Sequence, residues 1–260
     1  MTNTIQLNGY GDNSILTRIP IESNINAVIV SDLHLGSRYF LNQDFEKFLY
    51  NLPEGHELVL NGDVLDSPSA KLPLPHQRVL DLIQEISRYR KVVWIRGNHD
   101  KKYLPEGFEN IDFKQIYGIK KRLLIAHGDR FDEIMPKNQI FIRLFEWMHN
   151  VRIKLGARPV HVAYYAKKWG ILYKYLRNNV MENAVRYALR HGYQAVTCGH
   201  SHYPEYKLHH GIYYINTGSW TEYPAYYLQV SPDEMRLNPA VRHIGFQRPS
   251  TPSRERLVGT

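Results

Sequence analysis

Short apolar, β-branched runs recur along the chain, and each closes on Gly, Asp, Asn or His. AVIVSD spans 27–32, ELVLNGD 57–63, KVVWIRGNHD 91–100 and RLLIAHGD 122–129; AVTCGH at 195–200, GIYYINTG at 211–218 and AYYLQV at 225–230 follow after a gap. Their length and continuity predict buried strands. Between the early runs, Phe45, Phe48, Leu49 and Leu52 share one helical face, and Val79, Leu82, Ile83 and Ile86 share another. Strand and helix alternate first, then strands succeed one another directly. This order predicts an α/β sandwich, parallel in part, with helices outside.

Residues 135–191 break the rhythm. Ile140, Leu144, Met148, Val151 and Leu155 keep helical spacing, as do Tyr165, Trp169, Leu172, Tyr173 and Leu176. Asn179 and Glu182 have the form of a capping box that opens a last helix, with Gly192 ending it. The expected organisation is a sandwich core of 1–134 and 192–230, a helical insertion acting as a cap at 135–191, and a polar, flexible tail at 231–260.

The net charge of +8 changes this picture through its location. Between Met135 and Arg190 stand eleven basic residues, Lys137, Arg143, Arg152, Lys154, Arg158, Lys167, Lys168, Lys174, Arg177, Arg186 and Arg190, against Glu146 and Glu182 alone. So concentrated a field calls for an anionic partner: nucleic acid, a phosphorylated substrate or a membrane surface. The single cysteine, Cys198, excludes an internal disulfide framework and a thiolate-rich zinc site. The first residues lack a basic region followed by an apolar one, and no apolar run reaches the length of a membrane span, so a cytoplasmic protein is expected.

Every polar motif falls at the carboxyl end of its strand, where open α/β sheets place ligands. Asp32 and His34 follow the first run, Asp63 the second, Asn98 the third and His127 the fourth, and His200 and His202 come after the gap. Taken alone, His200 and His202 read as readily as a surface pair. With the others they complete seven nitrogen and oxygen donors, enough for two divalent ions. Ions about 3.5–4 Å apart activate water and clamp the oxygens of a phosphoryl displacement. Mixed imidazole, carboxylate and amide donors suit manganese, iron, zinc or nickel; manganese is expected.

The ordered set D-x-H, G-D, G-N-H-D, H-G and G-H-x-H resembles the calcineurin-like metallophosphoesterase superfamily over roughly Ala27 to Val230. The resemblance implies a four-layer αββα sandwich and a division of the ligands. One ion takes Asp32, His34, Asp63 and His202, the other Asp63, Asn98, His127 and His200. It also implies that His99 stabilises the transition state or protonates the leaving oxygen, with Asp100 orienting it. His99 suits that work because histidine titrates near neutrality. Arg38, just after SDLHLG, is a candidate substrate-phosphate contact or a solvated arginine. Asp66, Asp129 and Asp132 either hold ligand histidines or serve as turn residues.

The insertion interleaves its basic residues with Phe141, Phe145, Trp147, Tyr164, Tyr165, Trp169, Tyr173 and Tyr175. Interfacial membrane helices have this composition; so does a cap burying its aromatics against a core. HGDRFD, the basic helices, GHSHYPEY and NTGSWTEY together resemble the UDP-2,3-diacylglucosamine pyrophosphatase branch of lipid A synthesis. That resemblance implies cleavage of a nucleotide-linked lipid to UMP and a lipid sugar phosphate, at the cytoplasmic face of the inner membrane. The best-known members carry arginine where this chain has His99. Two alternatives stand beside it: a general phosphodiesterase or nuclease using the same positive field, and a binding scaffold that keeps the fold without the chemistry.

Overall fold

The computed structural model describes residues 15–18, 25–67, 71–103, 107–135, 139–157 and 159–241. Lys137, Arg158, the first fourteen residues and the tail beyond 241 lie outside the described residues, as do the side chains of 15–18, 139–146 and 241.

Two mixed sheets stack face to face. The first contains β1 (Ile15–Arg18), β2 (Asn26–Val30), β3 (His56–Asn61), β4 (Val92–Ile95), β5 (Ile111–Lys114), β11 (Ala225–Val230) and β12 (Glu234–Val241) in the order β1-β12-β11-β2-β3-β4-β5. Its β2 to β5 portion is parallel, and β11 joins β2 antiparallel. The second contains β6 (Tyr117–Ile119), β7 (Leu123–Ile125), β8 (Ala195–Cys198), β9 (Glu205–His209) and β10 (Ile212–Asn216) in the order β6-β7-β8-β10-β9. Here β7, β8 and β10 run parallel.

Side-chain alternation sorts each strand between two layers. In β4, Val93 and Ile95 enter the core between the sheets, where they meet Ile125, Ala195 and Ile215. Val92 and Trp94 point outward onto α1 (Asn42–Tyr50) and α2 (Leu74–Ile86), against Phe45, Leu49, Val79 and Ile83. On the other side, Leu124, Val196, Cys198 and Tyr214 cover α5 (Gly170–Arg190) through Val180, Met181, Ala184, Val185 and Ala188. The layers are therefore helix, sheet, sheet, helix, the expected four-layer αββα fold.

Three expectations need correction. Asn179 opens no helix, because α5 runs unbroken from Gly170 to Arg190; Asn179 Oδ1 instead accepts from the Glu133 amide at 3.2 Å. The C-terminal half of α5 is an outer layer of the sandwich, since its apolar face has a sheet to cover. Only α3 (Gln139–Lys154), α4 (Val162–Ala166) and the start of α5 stand apart as a candidate cap. Finally, residues 234–241 form β12, paired with both β1 and β11. Met235 and Leu237 are buried while Arg236 and Asn238 are half-buried, a period-two pattern that the flanking polar residues and Pro239 obscured.

If β12 belongs to the core, Leu237→Ala lowers the unfolding free energy by about 2–5 kcal/mol in urea denaturation. A loss within the roughly 0.5 kcal/mol of a surface change would place the strand outside it.

Candidate metal centre

The carboxyl ends of β2, β3, β4, β7 and β8 meet at one rim. Loop-to-loop bonds extend the ladder there: the Asp32 amide donates to Gly62 O at 3.1 Å, the His34 amide to Asp63 O at 2.9 Å, and the Gly199 amide to His127 O at 2.7 Å. Seven described non-glycine residues have positive φ, and five of them are Asp32, His34, Asp63, His200 and His202. Left-handed backbone costs such residues about 1–2 kcal/mol each, so the folded surroundings impose it. It turns each side chain out of the strand direction toward the rim. Two glycines leave room for the approach: a Cβ on Gly97 would run into the Asp63 carboxylate, and one on Gly199 into that of Asp32.

Donor atoms of Asp32, His34 and His202 lie within 4.8 Å of one another, and so do those of Asp63, His127 and His200. Asn98 joins the second group, its Oδ1 3.1 Å from His200 Nδ1. All seven expected ligands are thus brought to one place.

The protonation of this group tests whether a cation belongs in it. His127 Nδ1 donates to the Asn61 carbonyl at 2.9 Å, so the neutral ring presents a bare Nε2. That buried nitrogen has no hydrogen-bond partner, yet lies 3.1 Å from Asp63 Oδ2. His34 repeats the pattern: Nδ1 donates to Asp66 Oδ1 at 3.1 Å, and Nε2 faces His202 Nε2 at 3.2 Å. In His200 the roles reverse, with Nε2 donating to Asp132 Oδ2 at 3.0 Å and Nδ1 turned to Asn98. In these three rings the far nitrogen is pinned by an acceptor and the near one faces the cluster, as in metal-ligating histidines, whereas His202 Nδ1 is buried without a hydrogen-bond partner. Acceptors this close repel unless a cation lies among them.

Charge shifts agree with that reading. Burial alone would raise the Asp32 carboxyl, but His202 and His127 outweigh it and hold it down at about 2. Asp63 is likewise lowered against its burial, chiefly by His127. Burial would lower His127, and Asp63 and Asp32 drive it well above the usual histidine range. Two buried carboxylates are thus held ionised beside imidazoles that compete for any positive charge. The donor set fits divalent ions.

Residues 25–204 match the calcineurin-like phosphoesterase family. The chain belongs to that family. The family's name is that of a phosphoester hydrolase, and the family implies divalent ions in the cluster just described. The chain is also similar to the DNA polymerase II small subunit of Methanothermobacter thermautotrophicus, 24% identical over 243 residues, 76% of this chain and 48% of that protein. The corresponding subunit of Pyrococcus furiosus is 26% identical over 135 residues, 42% of this chain and 22% of that protein. The chain therefore spans less than half the length of these curated relatives. Among solved structures, the phosphoesterase Yfce from E. coli aligns with a TM-score of 0.42 and 17% identity, over 79% of this chain and 87% of that one.

For this phosphoesterase, the remaining expected residues fall as follows. His99 borders the site, its Nδ1 donating to the Asp66 carbonyl at 2.8 Å and its Nε2 4.0 Å from Asp63 Oδ2. Asp100 does not orient it. Asp100 accepts from the Val64 amide at 2.9 Å, the Gly97 amide at 2.6 Å and Trp94 Nε1 at 3.0 Å, and so ties the loops after β3 and β4 together. Asp129 pairs with Lys101 at 2.9 Å rather than with a ligand histidine. Arg38 is exposed and lies over the Tyr39 ring at 5.0 Å.

Four contributors escaped the sequence reading. Asn216, buried, donates to Gly199 O at 2.7 Å and to Ser201 Oγ at 3.0 Å, bracing the loop that carries His200 and His202. Its signal was a polar strand end in YINTG. Lys167 donates to the His202 carbonyl at 2.6 Å and pairs with Glu222, and the Tyr173 hydroxyl donates to the Ser201 carbonyl. His161 also reaches the site, although its local sequence resembles a plain helix start.

Asp132→Ala frees the His200 ring and lowers metal affinity about 10–100-fold, measured by titrating the ion-free protein with Mn2+; unchanged affinity would contradict the pinning role. Asp100→Ala strands three donors and lowers unfolding free energy by at least about 2 kcal/mol, while any loss of turnover tracks the loss of fold.

Proposed function

We propose that this phosphoesterase is a dinuclear-metal hydrolase of a diphosphate bond in a nucleotide-linked lipid, with UDP-2,3-diacylglucosamine or a close analogue as substrate and UMP as one product. When bound, the ions supply Lewis acidity and a nucleophile at neutral pH. Asp32, His34, Asp63 and His202 would hold one, and Asp63, Asn98, His127 and His200 the other; manganese suits the donors. His99, its Nδ1–H donating to the Asp66 carbonyl, would give a proton from Nε2 to the leaving oxygen as the imidazolium and be left neutral. Arg38 is a candidate contact for a distal phosphate.

The observation that carries the lipid part is an exposed apolar corner beside the cluster. Trp169, Ile171 and Tyr175 present 40%, 91% and 64% of their surface at the start of α5. Lys167, Lys168 and Lys174 stand next to them in sequence. The same corner is bonded to the His202 loop through Lys167 and Tyr173. Basic and aromatic residues around an aliphatic tip suit acyl chains and an anionic lipid surface, so peripheral attachment at the cytoplasmic face of the inner membrane belongs to the proposal. Among the described residues, no helix is long and apolar enough to cross a membrane.

A second reading, a nucleic-acid phosphodiesterase, draws on the basic segment and on the DNA polymerase subunits that the chain resembles. Incubation with Mn2+ separates the two. The lipid reading expects UMP from UDP-2,3-diacylglucosamine, and Ile171→Asp reducing that rate at least about tenfold while hydrolysis of bis(p-nitrophenyl) phosphate is kept. Nucleotide release from DNA or RNA, with no UMP from the lipid, would replace it by the second reading.

A further inference from the structure

His161 stands in the segment between α3 and α4, far in sequence from every motif of the metal centre. Its ring stacks on His202, with centroids 5.3 Å apart and planes 18° apart, and lies 5.2 Å from His34. Tyr39 closes a third side edge-on at 5.9 Å. A ring nitrogen of His161 falls within 4.8 Å of donor atoms of His34 and Asp66. The segment is anchored on both flanks: buried His149 of α3 donates Nε2–H to the Val160 carbonyl at 3.0 Å, and Lys167 binds the His202 loop. The imidazole is therefore held in place rather than resting on the surface.

Its two nitrogens have different duties. Nδ1 accepts the Ala163 amide at 3.3 Å, capping α4. In a neutral imidazole the proton then sits on Nε2, and no described residue accepts a hydrogen bond from it. Serine, threonine, aspartate or asparagine caps a helix better; what histidine adds at this position is the second nitrogen, with its N–H free beside the cluster.

We propose that His161 is a substrate-contacting residue of this phosphoesterase, donating its Nε2–H to a non-bridging oxygen of the phosphate held at the metal centre. The inference rests on the metal-centre reading above and extends it: a residue from the α3–α4 segment completes the phosphate site, so that segment is part of the catalytic machinery and not only a cover. No bond forms or breaks at His161. It supplies one hydrogen bond to an anion, strengthened where water is excluded.

Two substitutions separate this role from a structural one. His161→Asn keeps an oxygen at the capping position and lacks the distal N–H, whereas His161→Gln returns an N–H near the Nε2 position. Each full-length protein is loaded with Mn2+, its metal content measured, and its affinity for inorganic phosphate determined by 31P relaxation, alongside kcat/KM on bis(p-nitrophenyl) phosphate. Expected are equal Mn2+ contents in all three proteins, phosphate binding roughly tenfold to a hundredfold weaker in His161→Asn, a parallel drop in kcat/KM, and recovery of most of both in His161→Gln. Wild-type phosphate affinity in His161→Asn would overturn the proposal. So would loss of Mn2+ in that variant, or a glutamine variant no better than the asparagine one, since either assigns the effect to packing on His202. Failure of the wild-type protein to take up Mn2+ would instead overturn the metal-centre reading itself.

Discussion

Two carboxylates, Asp32 and Asp63, buried among imidazoles at one sheet rim set the terms for the rest of this molecule. Asp63 Oδ2 and His127 Nε2 lie 3.1 Å apart while His127 Nδ1 is committed to the Asn61 carbonyl, so a positive charge, a proton or a metal ion, belongs between them. Such an arrangement is unfavourable in an apolar interior unless positive charge fills it. Five of the seven converging residues also hold left-handed backbone, a further cost that only the surrounding sheets can sustain. The sandwich supplies that support. Two strand layers bring five loops to one rim, hydrogen bonds between loops extend the ladders past the strand ends, and Asp100 and Asn216 lock the loops after β3, β4 and β8.

The helical segment is bound to this rim more closely than a separate cap would be. Lys167 and Tyr173 donate to carbonyls of the very loop that presents His200 and His202, and the far half of α5 serves as the outer layer of the second sheet. A displacement of the α4–α5 corner would therefore be felt at His202. The exposed Trp169, Ile171 and Tyr175 tip and the cluster are joined by one short, bonded path through Lys167 and Tyr173.

Strand runs such as AVIVSD and RLLIAHGD were legible because they are continuous, apolar and closed by a turn residue, and they carried the site residues with them. β5, β9 and β12 were not, because edge or half-exposed strands mix polar residues into the pattern: in β12 only Met235 and Leu237 are buried, too few to outweigh Pro239 and the charges around them. The Asn179 and Glu182 pair misled for a related reason. A capping box is a local signal, and α5 continues through it because its buried face, from Val180 to Ala188, has a sheet to cover.

Residue types and their spacing determined the fold class, the seven converging donors and the nitrogen and oxygen chemistry, since those depend on what lies at the end of each strand and on strand order. They could not reveal which nitrogen of each histidine is free, that Asp100 binds backbone while the Asp66 carbonyl holds His99, or that His161 stacks on His202. These facts depend on contacts between residues far apart in sequence, such as His202 with Asp32, 170 positions away, or His34 with Asp66, 32 positions away, and no local pattern encodes such a contact. Hydrogen-bond direction and ring stacking are fixed only when the sheets have closed and each polar atom must take a partner from what the fold has placed beside it.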